Sequence, residues 1–224
     1  MADTVKPNVG ADMLRIHRVI TRSLDVSIQR GADFAREGFP SATIQEGFAL
    51  YLRALAGVLN AHHLGEDETA FPYFRERIPD APYDKLMADH RLIEAVLEKL
   101  EAATGAVAGN AQPGDSLHTL DGVLATLYRL WHPHIGIEES ILYDPERVAA
   151  LMDEEENVQL SQKMGESSQK HLHAPDVEIP FVLYNLGPED RAIMTKMLPP
   201  VVTQQLVPLV WRAKWAPMKP FLLE

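Results

Sequence analysis

Four stretches in the first two-thirds of this 224-residue chain repeat apolar residues at the 3.6-residue spacing of an α-helix, and this spacing constrains the fold more than any other feature. The first stretch runs from about Asp12 to Arg36. The second follows Pro40, and Thr43 with Glu46 predicts a capping box at its start. Each stretch is long enough for six or more helical turns, so the pattern predicts long amphipathic helices.

The third and fourth stretches complete the set. The third follows Asp80, which is predicted to cap it, and Pro82, which suits a first helical turn. A loop rich in glycine, alanine and proline, GAVAGNAQPGD, leads to the fourth stretch, which extends from near Leu117 to about Ile141. Amphipathic helices joined by short or medium loops predict an all-α fold, an antiparallel four-helix bundle.

Each apolar face is interrupted by one histidine, and the four are His17, His62, His90 and His134. A ring nitrogen on such a face is unfavourable unless it finds a partner. Two of these histidines are followed at i+4, on the same face, by Glu66 and Glu138. Residues at that spacing are about 6 Å apart at Cβ, so one pair can hold one metal centre. The sequence therefore predicts a metal site inside the bundle.

The donor types limit the metal and its number. Imidazole and carboxylate ligands without thiolate suit iron, manganese or zinc. Four imidazoles and two carboxylates are too many for one open tetrahedral ion and suit two ions bridged by the carboxylates. None of the nine histidines has a glutamate three residues before it, which excludes the Glu-x-x-His pattern of ferritin-like bundles.

Composition excludes several other classes. Cysteine is absent, which excludes disulfides, thiolate ligands and a cysteine nucleophile. The net charge of −11 offers no basic footprint for nucleic acid. No run approaches the ~18–20 apolar residues of a spanning helix, and the N-terminal MADTVKPNVGADML has no signal-peptide core. We expect a cytoplasmic protein without nucleic-acid or membrane partners.

The pattern of His17, His62-x-x-x-Glu66, His90 and His134-x-x-x-Glu138 resembles that of the hemerythrin-like (HHE cation-binding) proteins. HHLGEDETAFP is similar to their second-helix signature, ADHRLIEAVLEKL to the third and HPHIGIEES to the fourth, and the resemblance covers roughly residues 10–144. It implies a bundle around two non-haem iron ions (Fe²⁺/Fe³⁺), bridged by an oxo or hydroxo group. The histidines would be terminal ligands, and the two glutamates would bridge the irons.

The resemblance also implies a range of functions. The first is a protein that binds O₂ or NO for sensing, storage or a stress response. The second is a di-iron oxidoreductase that acts on peroxide, NO or O₂ with a small-molecule substrate, and the third is iron delivery or iron-centre repair. No dinucleotide fingerprint is visible, so any electrons would come from an external reductase. The absence of cysteine argues against cluster transfer through thiols.

Three residues near the predicted ligands leave alternatives open. The oxygen carriers of the family use a fifth histidine on the third helix, and Glu94 occupies that position here. About two of the roughly twelve positions on two six-coordinate ions would then stay open, unless Glu94 closes one instead of lying at the solvated edge. His63 and Asp67 form a second i,i+4 pair that either faces the adjacent helix and orients the ligand side chains or lies exposed on the surface. His132 is a weaker candidate for such support.

The pattern changes after Tyr143. DPERVAALMDEEENVQLSQKMGESSQKH begins with a capping Asp-Pro pair and predicts one charged fifth helix. The remainder is broken by prolines, with helices predicted near 188–198 and 200–215. We therefore divide the chain into a di-iron bundle, residues 1–144, and a helical C-terminal extension, residues 145–224, that is expected to pack on the bundle.

Overall fold

The computed structural model describes residues 8–110 and 112–223, and these residues form helices without any strand. The all-α class is therefore confirmed. Residues 1–7, which include half of the N-terminal stretch discussed above, Ala111 and Glu224 lie outside the described residues. The α-helices are α1 (Val9–Glu37), α2 (Ala42–Gly65), α3 (Phe71–Arg75), α4 (Tyr83–Gly109), α5 (Gly114–Ile141), α6 (Pro145–Leu151), α7 (Glu154–His171), α8 (Pro175–Tyr184), α9 (Pro188–Met197) and α10 (Arg212–Trp215).

Three further helical segments have other hydrogen-bond patterns. Glu66–Ala70 and Val202–Val210 are π-helical, and Ala216–Phe221 is a 3₁₀-helix. The four long helices are in mutual contact, since α1 packs against α2 and α5, and α4 packs against the same two helices. None of the helices among the described residues has a stretch that is both long and apolar enough to cross a bilayer.

The helix ends differ from the predicted ones because other side chains cap them. Asn8 accepts a hydrogen bond from the Ala11 amide at 2.9 Å, so α1 begins before Asp12. Ser41 accepts from the Ile44 amide at 3.3 Å, so the predicted capping box at Thr43, two residues later, is wrong.

Helix α4 also differs from its predicted bounds. It follows Pro82 without any side-chain cap, so the predicted role of Asp80 is wrong. It then continues to Gly109, because the GAVAG half of the predicted loop is helical and buries Val107.

Two hydrophobic clusters fill the space between the four long helices. The larger contains residues such as Leu24, Leu55, Leu100 and Leu127. The smaller contains residues such as Met13, Phe71, Leu86 and Leu142. On each helix the histidine of the apolar face lies in the chain between a residue of one cluster and a residue of the other. The histidine layer is thus enclosed by apolar side chains above and below it.

The extension contributes to both clusters. Its first part supplies Val148, Met152, Leu160 and Met164 to the smaller cluster. Its second part supplies Val177, Phe181, Leu186, Trp215, Met218 and Phe221 to the larger one. The 3₁₀ segment lies so close to α2 that a Cβ at Gly47 would come within 2.2 Å of the Pro217 carbonyl oxygen. Only glycine allows the backbones to approach in this way.

The extension is divided more finely than the sequence predicted. The single charged helix is in fact two, because Asp153 accepts a hydrogen bond from the Glu156 amide and starts α7 with a capping box. Helix α8 was not predicted at all. It carries Pro180 in its interior, and proline reads in a sequence as a helix breaker.

Candidate metal centre

The four long helices and the π-helical turn bring all six predicted ligands together. These residues are His17, His62, Glu66, His90, His134 and Glu138, and each is at most 5% exposed. The cluster forms because every histidine occupies a core position of its helix and the two glutamates follow one turn later on the same faces.

Glu138 reaches the histidines of two different helices. Its Oε1 lies 3.3 Å from Nε2 of His134, and its Oε2 lies 3.5 Å from Nε2 of His17. The two oxygens of one carboxylate therefore face different sides of the cluster. This is the arrangement that a carboxylate bridging two cations requires.

Glu66 also lies between histidines of two helices, but through a single oxygen. Its Oε2 lies 3.4 Å from Nε2 of His62 and 3.5 Å from Nε2 of His90. The other oxygen, Oε1, accepts a hydrogen bond from the hydroxyl of Tyr143 at 2.8 Å. Nε2 of His90 and Nε2 of His134 lie only 3.2 Å apart, so the two ring nitrogens face the same point.

Among the residues that the structure describes, two groups of donor atoms are compact enough to hold a cation each. In each group the donor atoms lie within 4.8 Å of one another, and both groups include Glu66. The first group is His17, His62, Glu66 and Glu138. The second group is His63, Glu66, His90 and His134.

Buried polar atoms without hydrogen-bond partners indicate whether these residues fit a metal. Nε2 of His17, Nε2 of His62, Oε2 of Glu66 and both oxygens of Glu138 are buried and have no hydrogen-bond partner among the described residues. Leaving so many polar atoms unpaired in an apolar interior is costly. Cations at the centre would satisfy all of them at once, and nitrogen with oxygen donors suits iron, manganese or zinc. The residues therefore fit a metal centre.

The π-helical turn places the residues that follow α2. The Phe71 amide donates to the carbonyl oxygen of Glu66, five residues earlier, so this turn holds one residue more than an α-helical turn. Oδ1 of Asp67 lies 2.9 Å from Nδ1 of His90 on α4. Turns of this kind are frequent at functional sites.

Two acidic residues fix the direction of the histidine rings. Asp67 can only accept, so Nδ1 of His90 carries the proton and the lone pair of Nε2 faces the cluster. Glu139 does the same for His17, with Oε1 3.0 Å from Nδ1. Metal-bound histidines are commonly oriented by carboxylates in this way.

Glu139 and Tyr143 were not identified from the sequence. A signal was nevertheless present for the acids, because each directly follows a predicted ligand and so points about 100° around the helix toward the neighbouring one. Tyr143 follows Glu138 by five residues, which places its hydroxyl near the glutamates. Its ring also lies 5.8 Å from that of His17, centroid to centroid.

Burial sets the protonation of the metal-free centre. It lowers the pKa of His17 and of His62, and it lowers the pKa of His134 to about 2. It raises the pKa of Glu66 well above its usual range. The pKa of Glu138 is raised in the same way, by burial first and then by the charge of Glu66. The rings of His17, His62 and His134 are therefore neutral and able to bind a cation, and cations would take the place of carboxyl protons.

Metal removal is expected to destabilise the protein more at high pH than at low pH. The folded metal-free state binds carboxyl protons at pH values above 4.5, where the unfolded chain has lost them, so its stability falls as the pH rises toward the raised pKa. Histidines that become protonated in the unfolded chain change the stability of loaded and metal-free protein by the same amount, because both unfold to the same state. This effect cancels in the difference between them. Melting of loaded and chelated protein should give a difference in Tm that grows as the pH rises above the usual glutamate pKa of 4.5. A constant difference would contradict this assignment.

The structure also decides between the alternatives left open nearby. Glu94 is exposed on the outer side of α4, so it lies at the solvated edge. His63 is buried, so its reading as an exposed partner of Asp67 is wrong. His132 is half-buried and turned away, with Nδ1 3.0 Å from the carbonyl oxygen of Tyr128 and its ring against that of Tyr128.

Comparison with known proteins gives one match. A family model described as the hemerythrin HHE cation-binding domain matches residues 11–144. No curated protein and no solved structure matches the chain. The matched region covers more than half of the 224 residues and contains every histidine and glutamate of the buried cluster. The chain therefore belongs to the hemerythrin HHE cation-binding family.

Proposed function

We propose that this protein is a non-haem di-iron protein that binds O₂ or NO at the centre formed by His17, His62, Glu66, His90, His134 and Glu138. The observation that carries the proposal is the pair of buried donor groups that share Glu66. A single cation would leave the donors of one group without a partner, whereas two cations would reach donors of both groups. Iron bound there would supply reversible redox chemistry and affinity for diatomic molecules.

We also propose that the four long helices form an antiparallel four-helix bundle. Along α1 and α4 the chain passes from the smaller hydrophobic cluster to the larger one, and along α2 and α5 it passes in the opposite order. This alternation supports opposite directions for neighbouring helices. The bundle would span residues 1–144, with residues 145–224 packed against it.

The enclosure of the centre favours small ligands. The six residues are buried between two apolar clusters, so a molecule that reaches them must be small or diffuse through transient openings. Two cavities of about 460 and 590 Å³ in the described part of the chain are not lined by any of the six. O₂, NO and peroxide are small enough for a centre enclosed in this way.

The residues of this chain would divide the work. The four imidazoles and two carboxylates hold the cations, and Asp67 and Glu139 keep the rings of His90 and His17 aimed at them. Tyr143 holds one oxygen of Glu66 away from the histidines. The apolar clusters exclude water, which protects a reduced centre from side reactions.

An enzymatic role at the same centre is the second candidate. The six ligands leave about two of roughly twelve positions unfilled on two six-coordinate ions. Glu94 closes neither of them, because it is exposed. This favours reduction of peroxide or NO, or activation of O₂, with electrons from an external reductase. Iron delivery to damaged centres would have to proceed without thiol transfer, since cysteine is absent.

Metal analysis and visible spectroscopy test both roles. The protein purified with iron should contain two irons per chain, and a metal-free or single-iron protein would refute the proposal. The reduced protein is then exposed to air and returned to argon. A spectral change that reverses under argon supports binding. Irreversible oxidation, with consumption of added peroxide or NO when a reductant is present, supports the enzyme.

A further inference from the structure

His63 is a fifth histidine of the centre that the six-ligand proposal does not use. It is 5% exposed, and its Nε2 is buried without a hydrogen-bond partner among the described residues. One of its ring nitrogens lies within 4.8 Å of donor atoms of Glu66, His90 and His134. Asp67 does not satisfy it, because that carboxylate contacts His90. Nε2 of His63 therefore needs a hydrogen-bond partner at the centre.

The orientation of the ring argues against direct ligation. The rings of His63 and His90 are stacked, with centroids 3.9 Å apart and planes only 12° from parallel. An ion bound by an imidazole nitrogen lies in the plane of that ring, so two parallel, separated rings cannot both point at one ion. An ion held in the plane of the His90 ring would therefore lie outside the plane of the His63 ring.

A group in this position is suited to contact what the ion binds. A metal–ligand bond of about 2 Å followed by a hydrogen bond of about 3 Å separates ion and hydrogen-bonding group by about 4–5 Å. A ring nitrogen of His63 lies within 4.8 Å of the donor atoms of His90 and His134, so a small molecule held beside those donors would be within its reach. The stack on His90 and the edge-to-face contact with His134, at 5.3 Å between centroids, fix the ring there.

We infer that His63 donates a hydrogen bond from Nε2 to a small anion or diatomic molecule bound at the centre beside His90 and His134. This inference rests on the proposed function and adds to it a residue that contacts the bound molecule. His63 thereby favours molecules that accept a hydrogen bond and carry negative charge. Without such a molecule the nitrogen remains unpaired in the interior, which is costly.

Azide, a small anion that accepts hydrogen bonds, provides the probe. The full chain is loaded with iron, oxidised and titrated with azide by visible absorption, after its iron content has been measured. His63→Leu should keep two irons and bind azide about tenfold more weakly, the effect of one hydrogen bond to a charged acceptor. His63→Gln, which retains an N–H donor, should recover most of the affinity. His118→Gln, at an exposed position of α5, is the matched control and should match the wild type.

The iron measurement separates this inference from the proposed function. A wild-type protein without two irons would refute the proposed function itself. Two irons in the wild type but fewer in His63→Leu would make His63 a ligand and overturn the inference. Equal azide affinity in His63→Leu and the wild type, or no azide binding to either, would also overturn it. If the leucine variant does not fold, His63→Phe makes the same comparison, because it keeps the stack and lacks the nitrogen.

Discussion

Replacing Glu138 by alanine is expected to reduce the iron content from two ions per chain to one or none. Both oxygens of Glu138 are buried and unpaired, and they face Nε2 of His134 and Nε2 of His17 respectively. Removing this side chain takes one donor from each side of the centre. Since no other carboxylate with one oxygen on each side would remain, the loss cannot be made up by a neighbour.

Glu139→Ala is the matched control for this experiment. Glu139 is the next residue, is 40% exposed at its side chain and contacts Nδ1 of His17. Its removal should leave two irons bound. The affinity for iron should be about 10- to 100-fold lower, as expected when a group that orients a metal ligand is lost. Iron per chain is measured after dialysis against a weak chelator. If Glu138→Ala kept two irons at wild-type affinity, the bridging assignment would be wrong.

The same residue should have the opposite effect on the metal-free protein. Burial raises the pKa of Glu138, which means that its ionised form destabilises the folded chain when no cation is present. Glu138→Gln removes this charge at nearly constant volume. At about pH 8 the chelated variant should therefore melt at or above the temperature of the chelated wild type. Iron loading should raise the melting temperature of the wild type more than that of the variant. The ionised carboxylate of Glu138 thus lowers the stability of the metal-free protein, and the same carboxylate is proposed to bind the metal.

The sequence predicted which six side chains come together, because helical spacing determines the face on which each lies. Each histidine of the cluster replaces an apolar residue at a position that the 3.6-residue period assigns to the core, and His62 and His134 are followed by their glutamates one turn later. All six side chains lie in one buried cluster in the structure, and helical spacing alone was enough to group them. What the period could not give was the direction of each ring within that cluster.

The sequence singled out His63 and Asp67 as a pair near the predicted ligands, but it did not give the contacts that they make. Asp67 contacts His90 from within a π-helical turn, a feature with no sequence signal of its own. His63 is adjacent to His62 and points elsewhere on an ideal helix, yet both are buried. Its stacking partner, His90, comes from another helix. Contacts between helices of this kind cannot be derived from the spacing of residues within one of them.

The extension was difficult to predict for a different reason. Asp144-Pro145 was correctly predicted to start a helix, but Pro175 and Pro180 were read as breaks. Pro175 lies in the first turn of α8, where the missing N–H has no cost, and Pro180 lies inside the same helix. The segment 202–210 is π-helical around Pro208. A proline that lies inside a helix cannot be distinguished from a helix breaker by sequence rules that ignore its packing partners.

Phe181→Ala is expected to lower the free energy of unfolding of the whole protein by about 3–5 kcal/mol, as for other buried aromatic residues. Phe181 is fully buried in the larger cluster, and its ring lies 5.0 Å from that of Tyr51 on α2. The hydroxyl of Tyr51 in turn donates to Asn185 at 2.9 Å. A cavity at this position therefore weakens the contact between the extension and the long helices, in addition to α8 itself.

Urea unfolding of the iron-loaded chain, followed by far-UV circular dichroism and by loss of iron absorbance, distinguishes one cooperative unit from two. If residues 145–224 fold together with the centre, both midpoints should fall together in Phe181→Ala. Leu209→Ala is the control, because Leu209 belongs to the same extension but is 68% exposed, and its removal should change stability by less than about 0.5 kcal/mol. Iron absorbance lost at the wild-type urea concentration in Phe181→Ala would mean that the extension unfolds separately. The apolar cover over the larger cluster would then contribute nothing to the stability of the centre.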